Sequence, residues 1–117
     1  MTVLNTLRRD VSGLARQVNA LKEHTVSTAA TINTLATFAL TVKKPIPIII
    51  QGSGEDFIAS FLDANISATG DTTQEAFHNL CDILSAKFSL FESLPSNKLG
   101  KEPARQLAVM REFIGRD

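Results

Sequence analysis

The sequence contains neither tryptophan nor tyrosine, and its aromatic residues are seven phenylalanines. Tryptophan and tyrosine supply many of the anchors of protein interfaces, and aromatic rings are the platforms on which single-stranded nucleic acids stack. An excess of charge of one sign is also missing, because twelve basic and twelve acidic residues cancel. A neutral chain has no general electrostatic attraction for nucleic acid. The composition therefore argues against direct nucleic-acid binding.

Cysteine is nearly absent, since Cys81 is the single one. One cysteine excludes an intramolecular disulfide framework and suits a reducing compartment. Long hydrophobic runs are missing too. The most apolar windows, residues 34–42 and 46–50, are separated by two lysines and a proline, and both are shorter than the roughly 20 residues that span a membrane. Polar residues interrupt every apolar run before residue 34, so we expect a cytoplasmic protein without a secretory signal or membrane segment.

The sequence does contain a heptad pattern over residues 2–42. Apolar or small residues recur there in alternating steps of three and four, which is typical of a coiled-coil helix. One amphipathic helix cannot bury such a stripe alone, so we predict that it packs against the same helix of a second chain in a dimer or tetramer. A helix that folds back on its own domain is the alternative. The residues predicted to carry oligomerisation are Leu4, Leu7, Val11, Leu14, Val18, Leu21, Ile32 and Leu35.

The middle of the chain has the pattern of a β-sheet. Residues 45–51, 57–61 and 65–69 are separated by short turns, and their composition and alternation predict three consecutive antiparallel strands. Apolar residues then recur at helical spacing over residues 72–94 and again over residues 104–114.

The predicted fold is therefore α+β. It has a long N-terminal heptad helix, a three-stranded antiparallel sheet covered by a helix, and a short C-terminal helix. A sheet of this size with one covering helix buries little surface, which also favours an oligomer. The predicted segments are an oligomerisation helix, a β-β-β-α domain, and a linker with the last helix, at residues 1–42, 43–94 and 95–117.

The helix that follows the sheet has a clear N-terminal signal. Thr72 and Glu75 have the spacing of a reciprocal capping box, and Asp71 is a further candidate cap. Gly70 can take the backbone conformation that ends a strand just before this signal.

These residues and the strand before them resemble the HicB-like antitoxin family. The matching stretches are Phe57-Ile58-Ala59-Ser60-Phe61-Leu62-Asp63 and Gly70-Asp71-Thr72-Thr73-Gln74-Glu75-Ala76, with Asn79-Leu80 one turn later. The resemblance covers residues 45–92 and implies a reduced ribonuclease-H-type fold that neutralises a small, basic HicA-type ribonuclease toxin. Complementary charge would guide such a partner. On this resemblance, the candidate partner-binding residues are Ile48, Ile50, Glu55, Asp56 and Asp63.

Catalytic groups are sparse. A metal-dependent nuclease needs several carboxylates at one point, whereas each acidic residue near the strand ends already suits a cap or a turn. His24 and His78 stand without a Ser-His-Asp pattern or a metal-ligand spacing. We therefore predict a protein that is not an enzyme and has no metal or cofactor.

Two functional hypotheses remain. The first is a non-enzymatic, self-associating HicB-like protein, which the heptad pattern favours. The alternative is an antitoxin that binds a small HicA-type toxin. Residues beyond Pro95 are too few and too weakly basic for a helix-turn-helix module, so repression of DNA would need an unusual use of the N-terminal segment.

Overall fold

The computed structural model of the protein describes residues 27–35 and 39–116. These residues form six strands, two α-helices and two 3₁₀ turns. In chain order they are β1 (Thr28–Ile32), β2 (Leu40–Val42), β3 (Ile46–Ser53), β4 (Asp56–Phe61), a first 3₁₀ turn (Leu62–Ala64), β5 (Ile66–Gly70), α1 (Thr73–Ser93), a second 3₁₀ turn (Ser96–Lys98), α2 (Lys101–Phe113) and β6 (Ile114–Arg116).

Four of the strands form one antiparallel sheet with the order β1-β3-β4-β5. The turn between β3 and β4 includes Gly54 at a φ of 67°, a conformation that glycine adopts without steric cost. The register places Ala29 opposite Ile49, Ile49 opposite Ser60, and Ser60 opposite Ser67. Because side chains alternate along a strand, these four residues lie in one row on the same face of the sheet.

The two α-helices lie against the other face and bury the core there. Helix α1 turns one side, including Leu80, Leu84 and Phe88, toward the sheet, in keeping with the helical spacing of its apolar residues. Helix α2 adds Met110 and Phe113. The ring of Phe113 meets that of Phe61 edge to face, with centroids 5.4 Å apart. The largest fully buried side chains are Phe61, Phe88, Ile32, Ile46, Leu80, Leu84, Met110 and Ile114.

The remaining two strands, β2 and β6, pair with each other in a separate antiparallel ribbon. The backbone N–H of Lys43 extends this pairing by donating to the carbonyl oxygen of Phe113 at 2.6 Å. Beside the ribbon, the Glu92 carboxylate accepts a hydrogen bond from Arg116 at 2.9 Å and another from Arg111 at 3.3 Å. Arg116 thereby connects β6 to the C-terminal part of α1, and Arg111 connects α2 to the same part.

The predicted fold class is wrong at its N-terminal end. A continuous helix over residues 2–42 is incompatible with the structure, because Thr28–Ile32 and Leu40–Val42 are strands. β1 adds a fourth strand to the predicted three-stranded sheet, and β2 pairs with β6. Threonine and isoleucine fit a pleated sheet well, and antiparallel pairing with β3 outweighs the helical spacing at these positions. Residues 1–26, which carry most of the heptad pattern, lie outside the described residues.

The later elements agree with the sequence pattern. The three consecutive strands appear as β3, β4 and β5, and the two helices as α1 and α2. Within the described part of the chain, no helix is long and apolar enough to cross a membrane.

Candidate protein-interaction surface

The face of the sheet opposite the helices is the main candidate surface, and we refer to it as the open face. Its side chains come from alternate positions of the four paired strands, and the one charged residue among them is Asp56, at the start of β4. Ile49 and Ile58 lie in its interior and are half-buried, while the residues around them are mostly exposed. The side chains of the open face are Ala29, Thr31, Pro47, Ile49, Gln51, Ser53, Asp56, Ile58, Ser60, Ser67 and Thr69.

The polar side chains of the open face bond to one another or to their neighbours. The hydroxyls of Ser60 and Ser67 are 2.9 Å apart across β4 and β5, and Ser60 is only 8% exposed. The Gln51 side-chain amide donates to the Ser27 hydroxyl at 2.9 Å. Pairing of this kind lowers the cost of removing the polar groups from water. The open face can therefore be covered by an apolar surface without leaving these groups unpaired.

A groove of about 560 Å³ lies at one end of the open face. Its walls come from β1, β3, β4 and the first 3₁₀ turn, and they include the apolar residues Pro47, Ile49 and Leu62 together with Ser60 and the charged residue Asp63. Leu62 is 62% exposed, which is high for a leucine in a folded domain. A shallow apolar groove beside half-buried isoleucines is suited to contact with another apolar segment of protein.

Helix α2 holds the first 3₁₀ turn in place at the end of this groove. The Arg105 guanidinium donates to the carbonyl oxygens of Asp63 at 3.2 Å and Ala64 at 3.3 Å. The Gln106 amide donates to the same Ala64 oxygen at 3.0 Å. Arg105 is itself paired with the Glu102 carboxylate at 2.7 Å, and this hydrogen bond lowers the pKa of the Glu102 carboxyl. These bonds fix the position of Leu62.

The free edge of β1 is a second candidate surface. β1 pairs with β3 on one side and, among residues 27–35 and 39–116, ends the sheet on the other. Its sequence, Thr-Ala-Ala-Thr-Ile, has no charged residue and no proline. An edge strand without such residues presents backbone donors and acceptors to any other strand that approaches it.

The structure separates the predicted partner-binding residues. Ile48 and Ile50 point into the core and are 3% and 8% exposed. Glu55 and Asp56 are exposed at the turn between β3 and β4, whereas Asp63 follows the far end of β4. Six residues of strand span about 20 Å. The three acidic side chains therefore lie at opposite ends of the sheet and do not form one patch.

The predicted cap residues lie together at the start of α1. The Thr72 hydroxyl accepts a hydrogen bond from the backbone N–H of Glu75 at 3.0 Å, so Thr72 is the N-cap. The Glu75 carboxylate reaches back to the backbone N–H of Asp71, one residue before the cap. Both bonds satisfy backbone donors near the start of a helix, so the Thr72 and Glu75 side chains have a structural role there.

Two of the predicted oligomerisation residues lie in the core of their own chain. Ile32 is fully buried in β1, and Leu35 is 7% exposed just after it. The other six, Leu4, Leu7, Val11, Leu14, Val18 and Leu21, lie outside the described residues. Ile32 and Leu35 are thus occupied by intramolecular packing.

Titratable side chains do not assemble into a reactive centre in the described ranges. No group of three or more histidine, cysteine, aspartate or glutamate side chains there could hold a metal ion. His78 is exposed on α1 with its ring 5.9 Å from that of Phe77. Burial raises the pKa of the Cys81 thiol, and the nearby Asp82 carboxylate raises it further. A raised pKa keeps the thiol protonated and weakly nucleophilic at neutral pH.

The predictions from sequence did not identify the open face, although two apolar residues in the strands indicate it. Ile49 and Ile58 are apolar residues at positions where a sheet with one solvated face usually has polar ones. Strands that are apolar on both faces are typical of sheets that are covered on both faces. This departure from strict alternation marks the interior of the open face.

Comparison with known proteins gives no match: no family model, no curated protein and no solved structure matches the chain. The resemblance of residues 45–92 to HicB-like antitoxins therefore stays an interpretation of the sequence.

Proposed function

We propose that this chain is a non-enzymatic protein that associates with a second copy of itself by pairing the free edges of two β1 strands. The observation that carries the proposal is the composition of β1, which ends the sheet with only threonine, alanine and isoleucine. Edge strands of soluble monomers usually carry a lysine, a proline or a bulge that prevents pairing. β1 has neither lysine nor proline.

The opposite edge of the sheet differs from β1. There the Asn79 side-chain amide, which projects from α1, donates to the backbone carbonyl of Thr69 in β5 at 2.8 Å. Arg105 and Gln106 donate to carbonyls in the residues that lead into β5. Side chains from the helices therefore already use backbone acceptors along β5, which makes β1 the more available edge.

Antiparallel pairing of two identical β1 strands satisfies the symmetry of a dimer. A two-fold axis at Ala30 places Ala29 of each chain opposite Thr31 of the other, and it joins two four-stranded sheets into one of eight strands. Main-chain hydrogen bonds supply much of the affinity in this mode of association. The interface is isologous, as is usual for homodimers.

The wider identity of the protein is part of the same proposal. The resemblance of residues 45–92 supports a HicB-like module in which binding, rather than catalysis, is the activity. The lone Cys81 supports a cytoplasmic location. Neutralisation of a HicA-type toxin is the alternative function, although the separation of Glu55 and Asp56 from Asp63 leaves it without a single acidic surface.

The test is the mass of the full chain in solution, measured by light scattering during gel filtration. We expect twice the 12.7 kDa of one chain for the unaltered protein. Substituting Ala29→Lys and Thr31→Lys together places like charges opposite each other across the two-fold axis, which destabilises strand pairing. We expect this variant to elute with the mass of one chain.

Thr69→Lys is the matched control, because Thr69 is an exposed residue of the open face in the edge strand β5. It should keep the mass of the dimer. Circular dichroism should show that the doubly substituted chain is folded. A folded variant with an unchanged dimer mass would rule out β1 as the interface. A monomeric unaltered chain that captures a small basic protein from its host would replace self-association with the antitoxin function.

A further inference from the structure

The groove at the end of the open face has the size of a site for a small molecule. Its volume of about 560 Å³ falls within the roughly 300–1,000 Å³ that is typical of ligand-binding clefts. Apolar side chains form much of its walls, and they include Pro47, the half-buried Ile49 and the exposed Leu62. An apolar group bound in the groove would remove these side chains from water.

The neutral polar groups of the groove make few demands on a ligand. The Ser60 hydroxyl is already hydrogen-bonded to the Ser67 hydroxyl at 2.9 Å, and Ser60 is only 8% exposed. Thr31 also lines the groove and is exposed, so water can reach its hydroxyl. The groove can therefore take an apolar group without leaving a buried hydroxyl unpaired.

Asp63 is the one charged residue among those that line the groove. It is exposed, and no ion pair within residues 27–35 and 39–116 involves its carboxylate. The Arg105 guanidinium lies close by, but it donates to the backbone carbonyl of Asp63 and is paired with Glu102 at 2.7 Å. Because the charges of Arg105 and Glu102 cancel, the Asp63 carboxylate gives this end of the groove a net negative charge.

Helix α2 fixes the apolar and the charged part of this end relative to each other. Arg105 and Gln106 donate to carbonyl oxygens of the first 3₁₀ turn. That turn carries both Leu62 and Asp63. An apolar side chain and a carboxylate are thus held next to each other before any ligand binds, which lowers the entropic cost of binding.

From this arrangement we infer that the groove binds a small organic cation, a molecule with an apolar body and a single ammonium or guanidinium group. The body lies against the apolar walls, and the cation lies beside the Asp63 carboxylate, which is complementary to it in charge. A single cation fits better than a broadly basic protein surface, because Glu55 and Asp56 are at the opposite end of the sheet. The inference concerns the groove alone and does not rest on pairing of β1 edges.

The test is a fluorescence titration in which the full chain is added to dilute indole probes that differ in charge. The probes are tryptamine, which is a cation at pH 7, tryptophol, in which a hydroxyl replaces the amine, and the anion indole-3-acetate. The chain contains neither tryptophan nor tyrosine, so indole emission comes from the probe alone.

At an ionic strength of about 0.1 M, tryptamine should bind roughly two- to fivefold more tightly than tryptophol, as expected for an exposed ion pair. Indole-3-acetate should bind most weakly. Equal affinities for tryptamine and tryptophol would overturn the inference. A chain that binds no tryptamine at millimolar concentration would overturn it as well.

Asp63→Asn separates the charge of the groove from its shape, because the amide occupies nearly the same space as the carboxylate. We expect this variant to bind tryptamine no more tightly than tryptophol, with the affinity for tryptophol unchanged. Asp56→Asn is the matched control, since it removes the other carboxylate of the open face, about 20 Å away at the start of β4. It should leave all three affinities unchanged. Identical behaviour of the two variants would contradict recognition by Asp63.

A substitution in the apolar wall provides an independent readout. Leu62→Ala removes contact with the body of every probe, so the affinities for tryptamine and tryptophol should fall by the same factor, roughly fivefold. Unchanged affinities would show that the probes bind outside the groove.

Amide chemical shifts of the ¹⁵N-labelled chain locate the bound probe. Tryptamine should shift the resonances of Ile49 and Leu62 and leave those of Ser53 and Asp56 in place. Shifts confined to other residues would reject the groove as the site. Displacement of tryptamine by micromolar octalysine would assign the groove to a basic protein surface and overturn the inference.

Discussion

At the scale of single residues, the neighbouring side chains of Phe61 and Leu62 show how sharply environment changes along this chain. Phe61 is fully buried and its ring contacts that of Phe113, whereas Leu62 is 62% exposed. The adjacent positions are both apolar, so hydrophobicity alone does not distinguish them. The position relative to β4 distinguishes them, because Phe61 is the last residue of this strand and Leu62 lies in the 3₁₀ turn that follows.

The substitution Phe61→Ala should lower the free energy of unfolding by about 3–5 kcal/mol, because it removes a buried ring and leaves a cavity. Leu62→Ala is the control, and a change within about 0.5 kcal/mol is expected for so exposed a side chain. Urea unfolding followed by circular dichroism measures both. Similar losses for the two variants would show that Leu62 is buried in solution.

The Glu102–Arg105 pair gives a prediction about pH at the same scale. The hydrogen bond from Arg105 lowers the pKa of the folded-state carboxyl below its ordinary value of 4.5. The pair therefore stabilises the fold above that ordinary value, and the contribution is lost as the pH falls through the lowered folded-state pKa. The effect is small, because both side chains are exposed.

Glu102→Gln should accordingly be less stable than the unaltered chain at pH 7, and the difference should shrink at acid pH. Urea midpoints for both proteins, measured from pH 7 to about pH 3, test this. A difference that stayed constant over this range would show that the carboxylate charge contributes nothing.

At the scale of secondary-structure elements, α1 depends on the cap at its N-terminus. Thr72→Ala removes the acceptor for the Glu75 backbone N–H and should cost about 1 kcal/mol, within a range of about 0.5–2 kcal/mol. Thr73→Ala, at the first helical position, should change stability by less than about 0.5 kcal/mol. The midpoints of thermal unfolding of the two variants provide the comparison. Equal decreases in the two midpoints would show that the Thr72 side chain does not act as the N-cap.

Elements also differ in how far their sequences predict them. β3, β4, β5, α1 and α2 have local signals: alternation, helical spacing, turn residues and a capping box. β1 does not, because its threonines and alanines also fit the heptad spacing, and only pairing with β3 decides between strand and helix. β2 and β6 are three residues each, too short for any periodicity to register.

The candidate surfaces were predictable only in part, for a similar reason. Ile49 and Ile58 stand out in the sequence as apolar residues out of alternation. The free edge of β1 depends on the order of strands in the sheet, which no local pattern specifies. Likewise, Glu55 and Asp63 are close in sequence, and only the length of β4 shows that they lie far apart in space.

At the scale of the whole molecule, the two candidate surfaces follow from one property of the architecture. The helices cover a single face of a four-stranded sheet, and this leaves both the open face and the edge of β1 without a layer from the described residues. A second copy paired along β1 would cover the edge and leave the open face as it is.

The pairing of β2 with β6 has a consequence for the order in which the molecule assembles. Val42 pairs with Ile114, so about 70 positions of chain lie between the partners, whereas a two-residue turn joins β3 to β4. Closing the longer loop costs about 3 kcal/mol more in chain entropy. Three residue pairs cannot offset that cost alone, and a ribbon of two strands is marginal by itself. The ribbon is stable because Leu40 and Ile114 enter a core that the rest of the chain has already formed. It should therefore be the last part of the fold to close and the first to open, and amide exchange at Thr41 and Gly115 should record the earliest loosening of the structure.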